Sequence, residues 1–221
     1  MWRGERGSAL VIVLLCAVLF LALASAMALV ASSETTISAT FRESAAALAG
    51  AEAAIARVSV DLSAASDVNA VLAGSSTSSF VDGPAGFRTL PDGTQIELTE
   101  LTNIERCGAP VCTDAQLSAA TLDRPWGANN PHWQRYASGW LRDVTPQSAA
   151  PHVYVVVWVG DDPLEHDGDP LTDDPDPDSP GHDALLIRSV AYAGYSVRRR
   201  LEVVARRVDG GVQLGSWREI R

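Results

Sequence analysis

The chain opens with a long apolar run that passes without a break into a one-sided helical pattern. From Gly7 to Ser33 the only ionisable side chain is the thiol of Cys16, and the run exceeds the roughly 20 residues that cross a bilayer. No proline occurs in this part of the chain. The pattern predicts one continuous helix over residues 8–62, with a transmembrane segment at about 8–31. Its second half is amphipathic, with apolar residues spaced by three and four at Ile37, Phe41, Ala45, Leu48, Ala51, Ile55, Val58 and Leu62.

After the long helix, the pattern changes to that of a globular head, which we assign to residues 63–221. Small polar residues and turn signals come first, and Thr94–Leu101 then alternates polar and apolar residues, as half-buried strands do. Residues Thr113–Leu122 are predicted to form a short helix capped by Thr113 or Asp114. Five further strands are predicted at Gln134–Arg142, His152–Val159, Ala184–Tyr192, Ser196–Val208 and Gly211–Trp217.

The turns between the last strands indicate how the strands pair. Ala193–Tyr195 and Asp209–Gly211 supply hairpin turns, and strands joined by short turns run antiparallel. The continuous β-branched run Val153–Val159 predicts a strand in the centre of the sheet. A helix packed on an antiparallel sheet gives the α+β class. We therefore predict a long N-terminal helix, half transmembrane and half amphipathic, followed by an α+β head with an antiparallel sheet.

The charge of the chain is concentrated in one loop. The net charge is −10, and all 17 basic residues are Arg. The ten acids between Asp161 and Asp183 equal the whole excess, so the remaining surface is balanced. No basic block is present, which argues against nucleic-acid binding. No nucleophile elbow, P-loop or HExxH motif occurs, so the sequence disfavours an exported hydrolase, and we predict that the protein is not an enzyme.

The acidic loop, residues 161–183, is the densest group of candidate metal ligands. Crowded carboxylates repel one another unless water or a cation separates them, and Ca²⁺ takes oxygen ligands, often from Asp. The spacing is not that of an EF-hand. A solvated, proline-stiffened loop without metal is the alternative. The candidate calcium ligands are Asp161, Asp162, Asp167, Asp169, Asp173 and Asp174.

Two cysteines enclose a turn of sequence Gly-Ala-Pro-Val. A disulfide between Cys107 and Cys112 is predicted if the head lies outside the cytoplasm. Free thiols are one alternative. A zinc half-site is another, but no second pair of Cys or His follows at a suitable spacing.

The charged residues before the apolar run indicate the orientation of the chain. Positive charge there keeps the N-terminus cytoplasmic and places the head outside. The run has three interpretations: a plain anchor, a secretory signal cut after the small residues Ala24–Ala26, or a leader cut between Gly7 and Ser8 that leaves the run on the mature protein. We prefer the third, because the helical pattern continues in phase beyond the signal-type cut.

The residues around this third cleavage point carry a family resemblance. Arg6–Gly7 followed by Ser8–Leu15, SALVIVLL, resembles the start of type IV pilin-like proteins. Ala49–Arg57, AGAEAAIAR, resembles the AEAA segment of the PilX-type pilus assembly proteins. The likeness to that group covers about residues 4–60, and the K-type minor pseudopilins of type II secretion come next. The tail Gly215–Glu219 is similar to that of some members.

The resemblance implies a role in assembly. Residues 1–7 would be a leader removed by a prepilin peptidase. The other implied partners are minor and major pilins, the inner-membrane assembly platform and membrane lipid. Most members carry Glu at the fifth residue after the cut, where this chain has Ile12, which implies a minor subunit that acts in initiation or at the tip. The expected location is the inner membrane, single-pass, and the resemblance leaves open whether the protein is also incorporated in the pilus.

A second hypothesis belongs to a different functional class. The chain would be a membrane-anchored, extracytoplasmic, calcium-dependent binding or adhesion module. Its ligand face would combine the acidic loop with the aromatic segment Trp126–Trp133. Burial of that aromatic segment on the core is the interpretation we prefer, and it would weaken this hypothesis.

Overall fold

The computed structural model describes residues 5–144, 152–165 and 167–220, with only the backbone for residues 5–7. In this part of the chain the helices are α1 (Glu5–Ala64), α2 (Val68–Leu72), α3 (Leu98–Cys107), α4 (Asp114–Leu117) and α5 (Leu141–Val144), with a 3-10 turn at Gly127–Asn129. The strands are β1 (Phe87–Thr89), β2 (Gln95–Glu97), β3 (Gln134–Trp140), β4 (Tyr154–Asp161), β5 (Ala184–Tyr192), β6 (Arg198–Val208) and β7 (Gly211–Glu219).

Strands β3 to β7 form one five-stranded sheet in chain order, and every neighbouring pair is antiparallel. A separate antiparallel hairpin joins β1 and β2. Every residue of β4 is buried, as the β-branched run predicts, although β5 is the middle strand. The predicted layout, a long N-terminal helix followed by an antiparallel sheet, is confirmed, and so is the α+β class.

The chain divides into two compact units, Met1–Arg42 and Glu43–Arg221, and the boundary falls within α1. In the first unit the described side chains are exposed except for the partly buried Ala39, and the exposed ones include Ile37 and Phe41 of the predicted amphipathic face. The second unit begins at Glu43, and the later part of α1 contributes buried residues to the core of this unit.

One face of the sheet packs against α1. Ala51, Ile55, Val58 and Leu62 are buried there, as their spacing predicts. Ala45 is exposed, and the small residues Ala47, Gly50 and Ala54 are buried in addition. Gly50 shows why small residues are needed, because a Cβ at this position would lie 2.8 Å from Cγ1 of Val153. The helix backbone therefore closely approaches Val153, the residue just before β4.

The opposite face of the sheet forms a second core. It contains Tyr154, Val156 and Trp158 of β4, covered by Leu98 of α3 and by Trp133. The prediction of one strand over Thr94–Leu101 is wrong in its second half, where α3 begins. The Glu97 side chain accepts the N–H groups of Thr99 and Glu100, which caps α3 and ends β2.

Candidate functional site

The acidic loop connects β4 to β5 and folds three of its carboxylates together. Asp161, Glu165 and Asp173 each offer a carboxylate oxygen, and these oxygens all lie within 4.8 Å of one another. Asp161 is 4% exposed to solvent and Glu165 is 1% exposed. We call these three residues the carboxylate cluster. Two of them, Asp161 and Asp173, are among the six predicted ligands, and the structure adds Glu165.

Each member of the cluster is held by a different set of backbone hydrogen bonds. Asp161 is the last residue of β4 and pairs with Leu185 of β5. The Glu165 Oε2 atom accepts the N–H of Asp174 at 2.8 Å. Asp173 Oδ1 accepts the N–H of Asp183 at 2.9 Å. Three segments that are separated along the chain therefore converge on one point at the end of β4.

Contacts outside the loop hold this arrangement in place. Asn129 donates its amide to the carbonyl of Glu165, and Asn69 of α2 accepts the N–H of Asp173 at 3.0 Å. Gly181 lies against Glu165 so closely that an added Cβ would be 2.3 Å from Cγ. Glu165 is therefore held by Asn129 from outside the loop and by Gly181 from within it.

The electrostatics of the cluster disfavour negative charge. Burial, and after it the charge of Glu165, raise the pKa of Asp161 to about 9. Burial likewise raises the pKa of Glu165 to about 7, and it raises the pKa of Asp173. Asp161 Oδ1 and Glu165 Oε1 are buried and have no hydrogen-bond partner among the described residues. The described residues around the cluster therefore compensate its charge only in part, through the N–H groups of Asp174 and Asp183.

Two basic side chains, those of His182 and Arg206, lie in or beside the acidic loop. His182 Nδ1 is 3.7 Å from Asp173 Oδ2, and a hydrogen bond to the Asp174 carbonyl raises the pKa of this His. Arg206 donates to the carbonyls of His182 and Pro180. Neither side chain donates to Asp161 Oδ1 or Glu165 Oε1, and these two buried oxygens have no hydrogen-bond partner among the described residues.

The other four predicted ligands shape turns of the loop. Each accepts, through Oδ1, the backbone N–H of the residue two positions further along, which is the pattern of an Asx turn. The acceptors are Asp162, Asp167, Asp169 and Asp174. Burial also raises the pKa of Asp162. Sequence reasoning missed Glu165, because nothing in the local pattern separates it from the other acids.

The cysteine pair lies at the end of α3. Cys107 and Cys112 are joined by a disulfide, with a Cα–Cα distance of 5.9 Å. Gly108, with φ 76°, caps the helix in the left-handed region and turns the chain back. The disulfide therefore closes the turn that follows α3.

An open cleft lies beside α3, over the face of the sheet opposite α1. Arg188 contacts Glu105 at 2.7 Å and Glu202 at 2.5 Å, and its guanidinium stacks 4.0 Å above the ring of Trp133. Trp133 is buried and Trp126 is partly buried. The Trp126–Trp133 segment therefore packs on the core, and Arg188 in the cleft is paired with both Glu105 and Glu202.

The N-terminal part of α1 is a separate functional element. Gly7 and Ser8, the predicted cleavage pair, both lie in the helix, whereas residues 1–4 of the predicted leader lie outside the described residues. Ser8–Ala64 is long and apolar enough to cross a membrane, and its most apolar window has no side chain buried by the protein. Cys16 is exposed there with a free thiol. This segment is compatible with a single membrane anchor.

No protein-family model, curated protein or solved structure matches the chain. The geometry of α1 and of the head therefore carries the functional conclusion.

Proposed function

We propose that the chain is a minor, PilX-like subunit of a type IV pilus or a related pseudopilus, which acts in assembly or initiation and not in catalysis. One observation carries the proposal. Within α1, residues 8–31 are exposed and apolar except for Ser8 and Ser25, and the part from Glu43 onward contributes to the core of an α+β head. A plain anchor or a cleaved signal needs no helical continuity with the core of the domain that follows it.

The apolar part of α1 would serve two environments in turn. In the inner membrane its exposed Leu, Val and Phe side chains would contact lipid. In the fibre they would contact the equivalent helices of other pilins. Small residues on this segment allow helices to approach closely, at Ala22, Ala24, Ser25, Ala26 and Ala28. The exchange of lipid for protein contacts requires no reaction by the subunit itself.

Two features support the proposed orientation and role. The Cys107–Cys112 disulfide suits a head in an oxidising compartment, outside the cytoplasm. Ile12 stands where most pilins carry Glu. The absence of this Glu removes a docking contact, and it suits a subunit that is not incorporated along the whole shaft. A carboxylate there would also cost free energy in lipid. Even placement along the shaft, detected by cross-linking, would contradict the minor role.

The decisive experiment is N-terminal sequencing of the mature protein from cells with and without a prepilin peptidase. We expect the mature chain to start at Ser8, and this start to be lost without the peptidase. A start at Met27 would identify a cleaved secretory signal. An intact Met1 in both strains would identify a plain anchor. Either of these results would overturn the proposal.

A second candidate function is a membrane-anchored, extracytoplasmic, calcium-dependent binding or adhesion module. The buried carboxylate cluster favours it, because the cluster offers oxygen ligands. The burial of Trp133 counts against it, because that ring is not free to contact a ligand. An intact Met1 together with calcium binding by the head would select this alternative.

A further inference from the structure

We propose that Asp161, Glu165 and Asp173 bind one Ca²⁺ ion, which holds the acidic loop against the end of β4. The proposal goes beyond the filament role and does not depend on it. A calcium site on the head is compatible with a pilin, a plain anchored module or a secreted domain.

The donor set determines the class of cation. All three ligands are carboxylate oxygens, which suit a hard cation. Calcium binds oxygen at about 2.3–2.6 Å, so ligands on opposite sides of the ion are about 4.6–5.2 Å apart. The oxygens of the cluster all lie within 4.8 Å of one another, which fits one such ion. Magnesium requires about 2.0–2.1 Å and a near-ideal octahedron, which a loop of this irregularity supplies less readily.

The burial of two unpartnered oxygens sets the cluster apart from an ordinary acidic loop. Asp161 and Glu165 are 4% and 1% exposed, and one oxygen of each has no hydrogen-bond partner in the described part of the chain. A buried carboxylate without a partner is costly, so such groups are normally paired or coordinate a metal. Acids elsewhere in the loop, such as Asp176 and Asp178, are exposed to water and have no such need.

The ion would link parts of the head that are distant in sequence. Asp161 belongs to β4, whereas Glu165 and Asp173 belong to the loop and are themselves tied to Asn129 and Asn69. One ion therefore connects the sheet, α2 and the turn at Gly127–Asn129. We expect calcium to stabilise the loop and, through these contacts, the whole head.

The test uses the full chain in detergent, with calcium alone as the probe. Isothermal titration after removal of metal by a chelator should show one Ca²⁺ per chain, with a Kd of about 10⁻⁵ to 10⁻³ M. Thermal unfolding should shift upward by about 3–6 °C when calcium is at about ten times Kd. Magnesium should bind more weakly than calcium.

Matched variants separate the cluster from the charge of the loop. Glu165→Gln and Asp173→Asn keep the side-chain shape, and each should weaken calcium binding by at least about tenfold. Asp178→Asn removes one exposed charge from the same loop and should bind calcium like the wild type. A cooperative melt in chelator shows that each variant is folded.

Three results would overturn the proposal: no saturable calcium binding, equal loss of binding in the Asp178→Asn control, or unchanged binding in both cluster variants. Magnesium binding as tight as calcium would overturn the assignment of the ion. None of these results affects cleavage at Ser8, so a failure of this proposal is distinguishable from a failure of the proposed function.

Discussion

At the scale of single residues, Asp82 connects the segment between α2 and β1 to the five-stranded sheet. Its carboxylate accepts hydrogen bonds from Arg88 Nε at 2.8 Å, Ser138 Oγ at 2.9 Å and Tyr154 OH at 3.0 Å. Burial alone would raise the pKa of Asp82, but the hydrogen bonds from these three side chains outweigh it and lower the pKa. The ionised form is therefore favoured by folding.

Asp82→Asn should destabilise the head by about 1–3 kcal/mol at pH 7, because it removes charge-assisted hydrogen bonds. A lowered folded-state pKa gives stability that is present above the unfolded pKa and is lost as the pH falls through the folded value. The difference in unfolding free energy between the wild type and the variant should therefore become smaller below about pH 4. Urea unfolding at several pH values measures this difference.

The matched control is Asp123→Asn, an exposed position, which should change the unfolding free energy little at any pH. If the difference in unfolding free energy between the wild type and Asp82→Asn stays constant from pH 7 to acid, ionisation of Asp82 does not contribute to stability.

At the scale of elements, the contact between α1 and Val153, the residue just before β4, depends on a glycine within the helix. Alanine normally stabilises a helix by about 1 kcal/mol relative to glycine. At Gly50 the added methyl would lie 2.8 Å from Val153 Cγ1, and Val153 is buried. Gly50→Ala should therefore destabilise the head, by about 1–3 kcal/mol, despite the gain in helix propensity.

The double variant Gly50→Ala/Val153→Ala tests the cause of this loss. Removing the two methyls of Val153 makes room for the new one, so the two losses should not add, and chemical denaturation of all four proteins would measure the coupling. Additive losses would show that the clash is not the reason for glycine at this position.

The turn after α3 depends on its disulfide. Replacing both Cys107 and Cys112 by Ser should lower the unfolding free energy by about 2 kcal/mol, the chain-entropy value for so short a loop. Thermal melting with and without reductant measures the effect. Reductant should shift the wild type toward the variant and leave the variant unchanged, and an equal response of both proteins would contradict the assignment.

At the scale of the whole molecule, the compact unit that begins at Glu43 should fold without the residues before it. Residues 43–221 retain Ala47, Ala51, Ile55 and Val58, which cover one face of the sheet, whereas residues 63–221 lack them. We expect the longer fragment to be monomeric with a cooperative melt, and the shorter one to aggregate. Size-exclusion chromatography and thermal unfolding compare the two. Cooperative folding of the shorter fragment would show that the helix is dispensable to the core.

Patterns within the sequence were enough for the long helix, the last five strands and their antiparallel order. Their causes are local: hydrophobic periodicity, β-branched runs and hairpin turns. The same patterns placed Asp161 and Asp173 among the candidate ligands, because a dense group of acids is visible without a structure. They also placed the two cysteines in one turn.

The tertiary structure alone decided which residues meet. Glu165 joins the cluster because contacts from Asn129, Asp174 and Gly181 fold the loop back, and these contacts join residues up to 36 positions apart. The role of Gly50 depends on a strand about a hundred residues later, and the capping of α3 by Glu97 overrode an alternating pattern. Local periodicity records which face of an element is apolar. It contains no information on which distant groups will be packed against that face, and that packing determines which carboxylates form the cluster.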